Sequence, residues 1–85
     1  MWGVDLTYSD VIANRIIELC KVKGITVNKL ATLSGITQST LDDVVKGKTK
    51  NPKLKTLHKI AEGLDMTISQ FLDFPEMNDT MFEDE

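Results

Sequence analysis

A chain of 85 residues, 41% apolar and 27% charged, can bury one small core, and a core of that size leaves little material to wall a deep substrate cavity. With Cys20 as the only cysteine and His58 as the only histidine, the chain can assemble neither a disulfide framework nor a Cys/His metal cluster. No cofactor is expected, and the lack of a converging nucleophile, base and oxyanion donor argues against an enzyme. The formal net charge of −3 hides a split: residues 1–65 hold ten basic and seven acidic side chains, whereas residues 66–85 hold six acidic and none basic, so only the first part suits a polyanionic partner.

No window approaches the roughly 18 apolar residues of a membrane-spanning helix, and the first ten residues lack the basic segment of a secretory signal. A cytoplasmic protein with no membrane partner is expected. Residues 1–8, where Trp2, Val4, Leu6 and Tyr8 alternate with small or polar residues, read as an N-terminal arm. A first helix starts after Ser9 or Asp10: Ile12, Ile16, Leu19 and Cys20 form one apolar stripe, Asn14, Arg15, Glu18 and Lys21 lie off it, and Gly24 ends it. Thr26 opens a second helix ending at Gly35, Thr37 a third ending at Gly47, and Asn51-Pro52 a fourth ending at Gly63. Thr67 and Gln70 make a capping box for a fifth. Beyond Phe74-Pro75 the periodicity fades, and residues 75–85 read as a loose acidic tail. No segment alternates with period two between hairpin signals. The expected architecture is an all-α, compact five-helix bundle over residues 9–74, with the arm before it and the tail after it.

Only Ser34-Gly35-Ile36 separates the second helix from the third, a turn too short for antiparallel neighbours, so the two must cross steeply as a helix-turn-helix. At 100° per residue, Leu41, Val44 and Val45 share one side of the third helix, residues 37–46, and Ser39, Asp43 and Lys46 the other, flanked by Gln38, Thr40 and Asp42. A helix that buries three aliphatics and exposes short polar side chains at its N-terminal end can enter a DNA major groove. Six lysines and no acid lie between Lys46 and Lys59.

From about Asn14 to Leu72 the chain resembles the lambda-repressor/Cro group of helix-turn-helix regulators, the XRE family. The resemblance is carried by Gly24-Ile25-Thr26 leading into Leu30-Ala31, Ser34-Gly35-Ile36-Thr37 at the turn, Ser39-Thr40-Leu41 in the third helix and Gly47-Lys48-Thr49-Lys50-Asn51-Pro52 after it. Leu57, Ile60-Ala61, Leu64, Met66-Thr67-Ile68 and Phe71-Leu72 complete it. It implies a transcriptional regulator that binds double-stranded DNA, in repressor fashion, as a homodimer on a two-fold site.

It also implies that Gln38, Ser39, Thr40 and Asp43 read bases or nearby phosphates. Glutamine can bond adenine N6 and N7 together, serine and threonine accept several pairings, and aspartate accepts only from a donor such as cytosine N4. Two bland alternatives stand beside these: Gln38 as a solvated first-turn residue, and Asp43 neutralised by Lys46 with Asp42 on a solvated shoulder. Lys46, Lys48, Lys50, Asn51, Lys53 and Lys55, with Thr37, are expected at phosphates, where a helix start also favours an anion.

The chain departs from the family pattern at two places. Val27 stands where many relatives carry a phosphate-binding glutamine, and its contact passes to Thr26 or Asn28. Cys20 and Val45 stand where many relatives carry a buried ion pair, which predicts an apolar contact there. A competing expectation is a protein-binding adapter whose acidic tail, with Phe74, Met77, Met81 and Phe82, engages a protein partner.

Overall fold

The computed structural model describes residues 7–79. The first six residues of the expected arm and residues 80–85 of the expected tail, Met81 and Phe82 among them, lie outside the described residues. The described chain forms six helices: α1 (Tyr8–Lys23), α2 (Val27–Ser34), α3 (Gln38–Val45), α4 (Leu54–Gly63), α5 (Ile68–Leu72) and α6 (Pro75–Asn78). No strand occurs among the described residues, in keeping with the all-α reading.

Helix starts follow hydroxyl caps. Thr26, Thr37 and Thr67 each accept a hydrogen bond from the backbone N–H three residues on, and Thr67 with Gln70 closes the expected capping box. The first helix begins earlier than Ser9 or Asp10. Thr7 is its N-cap, reciprocally bonded to Asp10, so Tyr8 belongs to the helix and packs against the core rather than to an arm. The fourth begins later than Asn51-Pro52, at Lys53, which supplies no side-chain cap.

One apolar cluster unites the bundle. Ile12, Ile16 and Cys20 of α1 meet Leu30 and Ala31 of α2, Leu41 and Val44 of α3, Leu57, Ile60 and Ala61 of α4, then Leu64 and Phe71. Cys20 is buried, as its place on the stripe predicts, and Val45 packs against the same cluster half-buried. Burial pushes the Cys20 thiol above its ordinary range, so it stays protonated at neutral pH.

Gly24 and Gly35 end their helices in the left-handed conformation, at φ 68° and 70°. Gly63 does not. It is the last residue of α4, and Asp65, at φ 59°, makes the left-handed turn instead. The reason is packing: a Cβ on Gly63 would overlap the Ser34 hydroxyl and lie 3.0 Å from the Ser34 backbone nitrogen and 3.1 Å from Leu30 Cδ1. Glycine is required there by the approach of α4 to the end of α2, not by backbone conformation.

The chain after α5 also differs from the loose tail expected. Phe74 is buried, α6 packs on α1, and Met77 lies against the core. Arg15 fixes this corner. Its Nε donates to the Phe71 carbonyl at 3.0 Å, one terminal nitrogen donates to that of Gln70 at 3.1 Å, and the guanidinium lies 4.7 Å from the Phe74 ring centroid. A side chain that falls off the apolar stripe therefore satisfies the last carbonyls of α5.

Two stability predictions follow from this packing. Gly63→Ala gains helix propensity worth about 1 kcal/mol but must push α4 from α2, a cost of about 1–3 kcal/mol, so its melting temperature should fall. The buried Ser34 Oγ has no hydrogen-bond partner, so Ser34→Ala should raise the melting temperature and recover part of the Gly63→Ala loss. Cys20→Arg introduces an unpaired charge into the core at a cost on the order of 3 kcal/mol. Adding Val45→Glu should recover part of it, and thermal melts of the two single variants and the pair check this.

Candidate nucleic-acid interface

The turn between α2 and α3 is closed by its own backbone. The amides of Gly35 and Ile36 donate to the carbonyls of Thr32 and Ala31 at 3.3 and 3.2 Å, and Thr37 then caps α3. Leu41 and Val44 are buried, which fixes the rotation of α3 about its axis. Gln38, Ser39 and Thr40 are consequently exposed at its N-terminal end, and Asp42 and Asp43 are half-buried farther along. A helix is about 10–12 Å across with its side chains, which matches a major groove about 12 Å wide, and the eight residues of α3 run about 12 Å along it.

The polar face is internally bonded. Thr37 Oγ1 accepts from the Thr40 amide at 3.1 Å and donates to Thr40 Oγ1 at 2.8 Å. With its oxygen engaged as acceptor, Thr40 keeps its own hydroxyl hydrogen to donate outward. Gln38 Nε2 donates to Asp42 Oδ1 at 2.8 Å, so Asp42 is not merely a solvated shoulder. The i, i+3 and i, i+4 spacings allow both contacts, but helical periodicity does not specify the rotamers that make them.

Beyond α3 the chain folds back on the end of the helix. The amides of Lys48 and Thr49 donate to the Asp43 carbonyl at 2.9 and 3.3 Å, and Gly47, at φ 73°, turns the loop. A Cβ on Gly47 would stand 3.6 Å from Asp10 Oδ1, so the loop passes close to the start of α1. Lys46, Lys48, Lys50, Asn51, Lys53 and Lys55 are all exposed. Because Lys53 offers no side-chain cap, the leading amides of α4 remain open donors beside those lysines.

On α2, Val27 packs against the core, whereas Thr26 and Asn28 are exposed. Thr26 Oγ1 accepts from the Lys29 amide at 3.0 Å, which leaves its hydroxyl hydrogen available. His58 is exposed on α4. Among the described residues, no group of three or more His, Cys, Asp or Glu could hold a metal ion, and no helix is long and apolar enough to cross a membrane.

The sequence profile of the Cro/C1-type helix-turn-helix DNA-binding domain matches residues 15–76. Among solved structures, prophage Lp1 protein 11 is 31% identical with a TM-score of 0.77, over 87% of this chain and 97% of that one. The restriction-modification controller protein C.AhdI from Aeromonas hydrophila is 30% identical with a TM-score of 0.67, over 74% and 94%. SinR, the master regulator for biofilm formation, solved in complex with DNA, is 31% identical with a TM-score of 0.65, over 73% and 98%; SinR is from Bacillus subtilis. No curated protein matches the sequence. A matched span running from α1 into α6 and including the α2-turn-α3 unit, together with the shared fold, leads to one conclusion: the chain belongs to the Cro/C1-type helix-turn-helix DNA-binding family.

Proposed function

We propose that this protein is a transcriptional regulator that binds double-stranded DNA sequence-specifically as a homodimer and represses by occupying its site. The observation that carries this reading is the exposed N-terminal end of α3, with Gln38, Ser39 and Thr40 set for base edges on a helix whose opposite side is buried. The lysine loop and the open amides of α4 supply phosphate contacts, as do Thr26 and Asn28 beside α2. Asp43, half-buried, either accepts from a cytosine amine at the far end of the groove or serves only to hold the loop through its carbonyl.

One short helix spans only a few base pairs, so two copies about one helical turn apart provide both affinity and length of recognition. Occupancy of such a site is enough to exclude other proteins from it, which is why repression is the proposed mode. The adapter reading loses two of its contacts: Phe74 lies buried beneath Arg15, and Met77 packs on the bundle.

Selection of bound sites from a random duplex pool tests the proposal. A two-fold motif with half-sites one turn apart is the expected result, and a pool that stays random after several rounds would defeat it. Gln38→Ala should relax preference at one base position by about 1–3 kcal/mol with the melting temperature unchanged. Equal loss on selected and random duplex would make Gln38 a backbone contact.

Charge supplies a further prediction. Residues 80–85 include Glu83, Asp84 and Glu85, and their deletion should tighten binding to random duplex at low ionic strength, the gain shrinking as salt screens it. Lys48→Ala and Lys50→Ala should each weaken binding to all sequences and lower the slope of log affinity against log salt by about 0.9. A deletion begun at Glu76 should in addition lower the melting temperature, since it removes Met77 and most of α6 from α1.

A further inference from the structure

We infer that Asp42 is a positioning residue for base recognition: by holding the amide of Gln38 in one orientation, it makes α3 prefer adenine over guanine at the base pair that Gln38 meets. The inference rests on α3 being the reading helix.

A glutamine amide has two faces of opposite hydrogen-bonding character, and a free exposed side chain can exchange them by rotating half a turn. A carboxylate only accepts. With Asp42 one helical turn farther on and its Oδ1 at 2.8 Å from Gln38 Nε2, the nitrogen must face the carboxylate, because the reversed amide would set two oxygens against each other. In the proposed arrangement Asp42 takes the hydrogen on the chain side of the nitrogen. What remains at the outer edge is Oε1 beside the other N–H, an acceptor next to a donor.

Adenine presents the matching pair in the major groove, the N6 amine as donor and N7 as acceptor, whereas guanine presents O6 and N7, two acceptors. The held amide therefore meets adenine with two bonds and meets guanine with its oxygen against O6. An unheld amide can turn its nitrogen toward guanine and give one hydrogen to O6 and the other to N7, which the held amide, with one hydrogen taken by Asp42, cannot do. Asp42 touches no base in this scheme, and its charge, adverse beside phosphates, is partly offset by the amide dipole it binds. Asp42 is half-buried, so its side chain has less freedom than that of the exposed Gln38.

The test uses the full chain and a duplex taken from the random-pool selection, with an adenine and then a guanine at the position where Gln38→Ala relaxes preference. Asp42→Ala should reduce the adenine-to-guanine affinity ratio by about 2- to 10-fold, as expected for freeing one rotamer-rich side chain. Its affinity for random duplex should stay equal or rise. Asp42→Asn, which keeps an acceptor without the charge, should restore part of the ratio. Combining Gln38→Ala with Asp42→Ala should lower the ratio no further than Gln38→Ala alone.

If Asp42→Ala and Asp42→Asn raise affinity for both duplexes by the same factor, Asp42 is only a repulsive charge and the inference falls while α3 remains the reader. If Gln38→Ala leaves base preference unchanged at every position, Gln38 reads no base, and the inference falls with that part of the proposed function. Circular dichroism melts of each variant separate both outcomes from loss of fold.

Discussion

Helix α4 can lie against the end of α2 because residue 63 has no side chain. The space a Cβ would fill is already occupied by the hydroxyl and backbone of Ser34, and Ser34 is the residue from which the turn into α3 departs. That approach sets the tilt of α2, the tilt sets where the chain leaves Gly35, and the exit sets how α3 crosses the bundle. Leu41 and Val44 then fix the rotation of α3 by burial. The polar residues at its start are exposed as a consequence of packing on the other side, not of their own interactions. An interior as tightly packed as this transmits a shift of one helix to the next instead of absorbing it.

The exposed face is itself partly ordered before any partner arrives. Thr37 and Thr40 share a hydroxyl chain, and Gln38 is held by Asp42. Each bond is made in water and contributes little to folding. On the proposed function its effect lies in binding, where a side chain already near its bound rotamer loses less entropy. The lysine loop follows a different logic. Its backbone is tied to the Asp43 carbonyl, but Lys46, Lys48 and Lys50 are exposed at flexible side-chain ends, which suits contacts to phosphates that recur at every step of a duplex.

Much of this was legible in the sequence because it is local. Thr26, Thr37 and Thr67 announce helix starts through bonds to amides three residues away, Gly24 and Gly35 announce ends, and the period of Ile12, Ile16 and Cys20 marks a buried face. Features that depend on a remote partner were not legible. Gly63 reads as a helix terminator until α2 is seen against it, and Arg15 reads as a solvent-facing charge until the carbonyls of Gln70 and Phe71, 55 and 56 residues on, are brought beneath it. Residues 75–79 read as tail because a four-residue helix carries no period of its own; its packing on α1 is a tertiary fact. Within the candidate site, exposure of Gln38, Ser39 and Thr40 follows from helical geometry, while the pairing of Gln38 with Asp42 requires rotamers that periodicity does not specify.

The inward turn of Arg15 also limits the chemistry left for the surface. It is the only arginine in the chain, and the other nine cationic side chains are lysines. A guanidinium is the one side chain that presents a rigid two-pronged donor matched to guanine O6 and N7, whereas a lysine ammonium is a compact point charge on a flexible stem. With that single fork closed over Phe74 and the end of α5, no second guanidinium is on hand for a G·C pair. On the proposed reading, α3 meets base edges with amides, hydroxyls and carboxylates, and the lysines serve chiefly the sugar-phosphate rails.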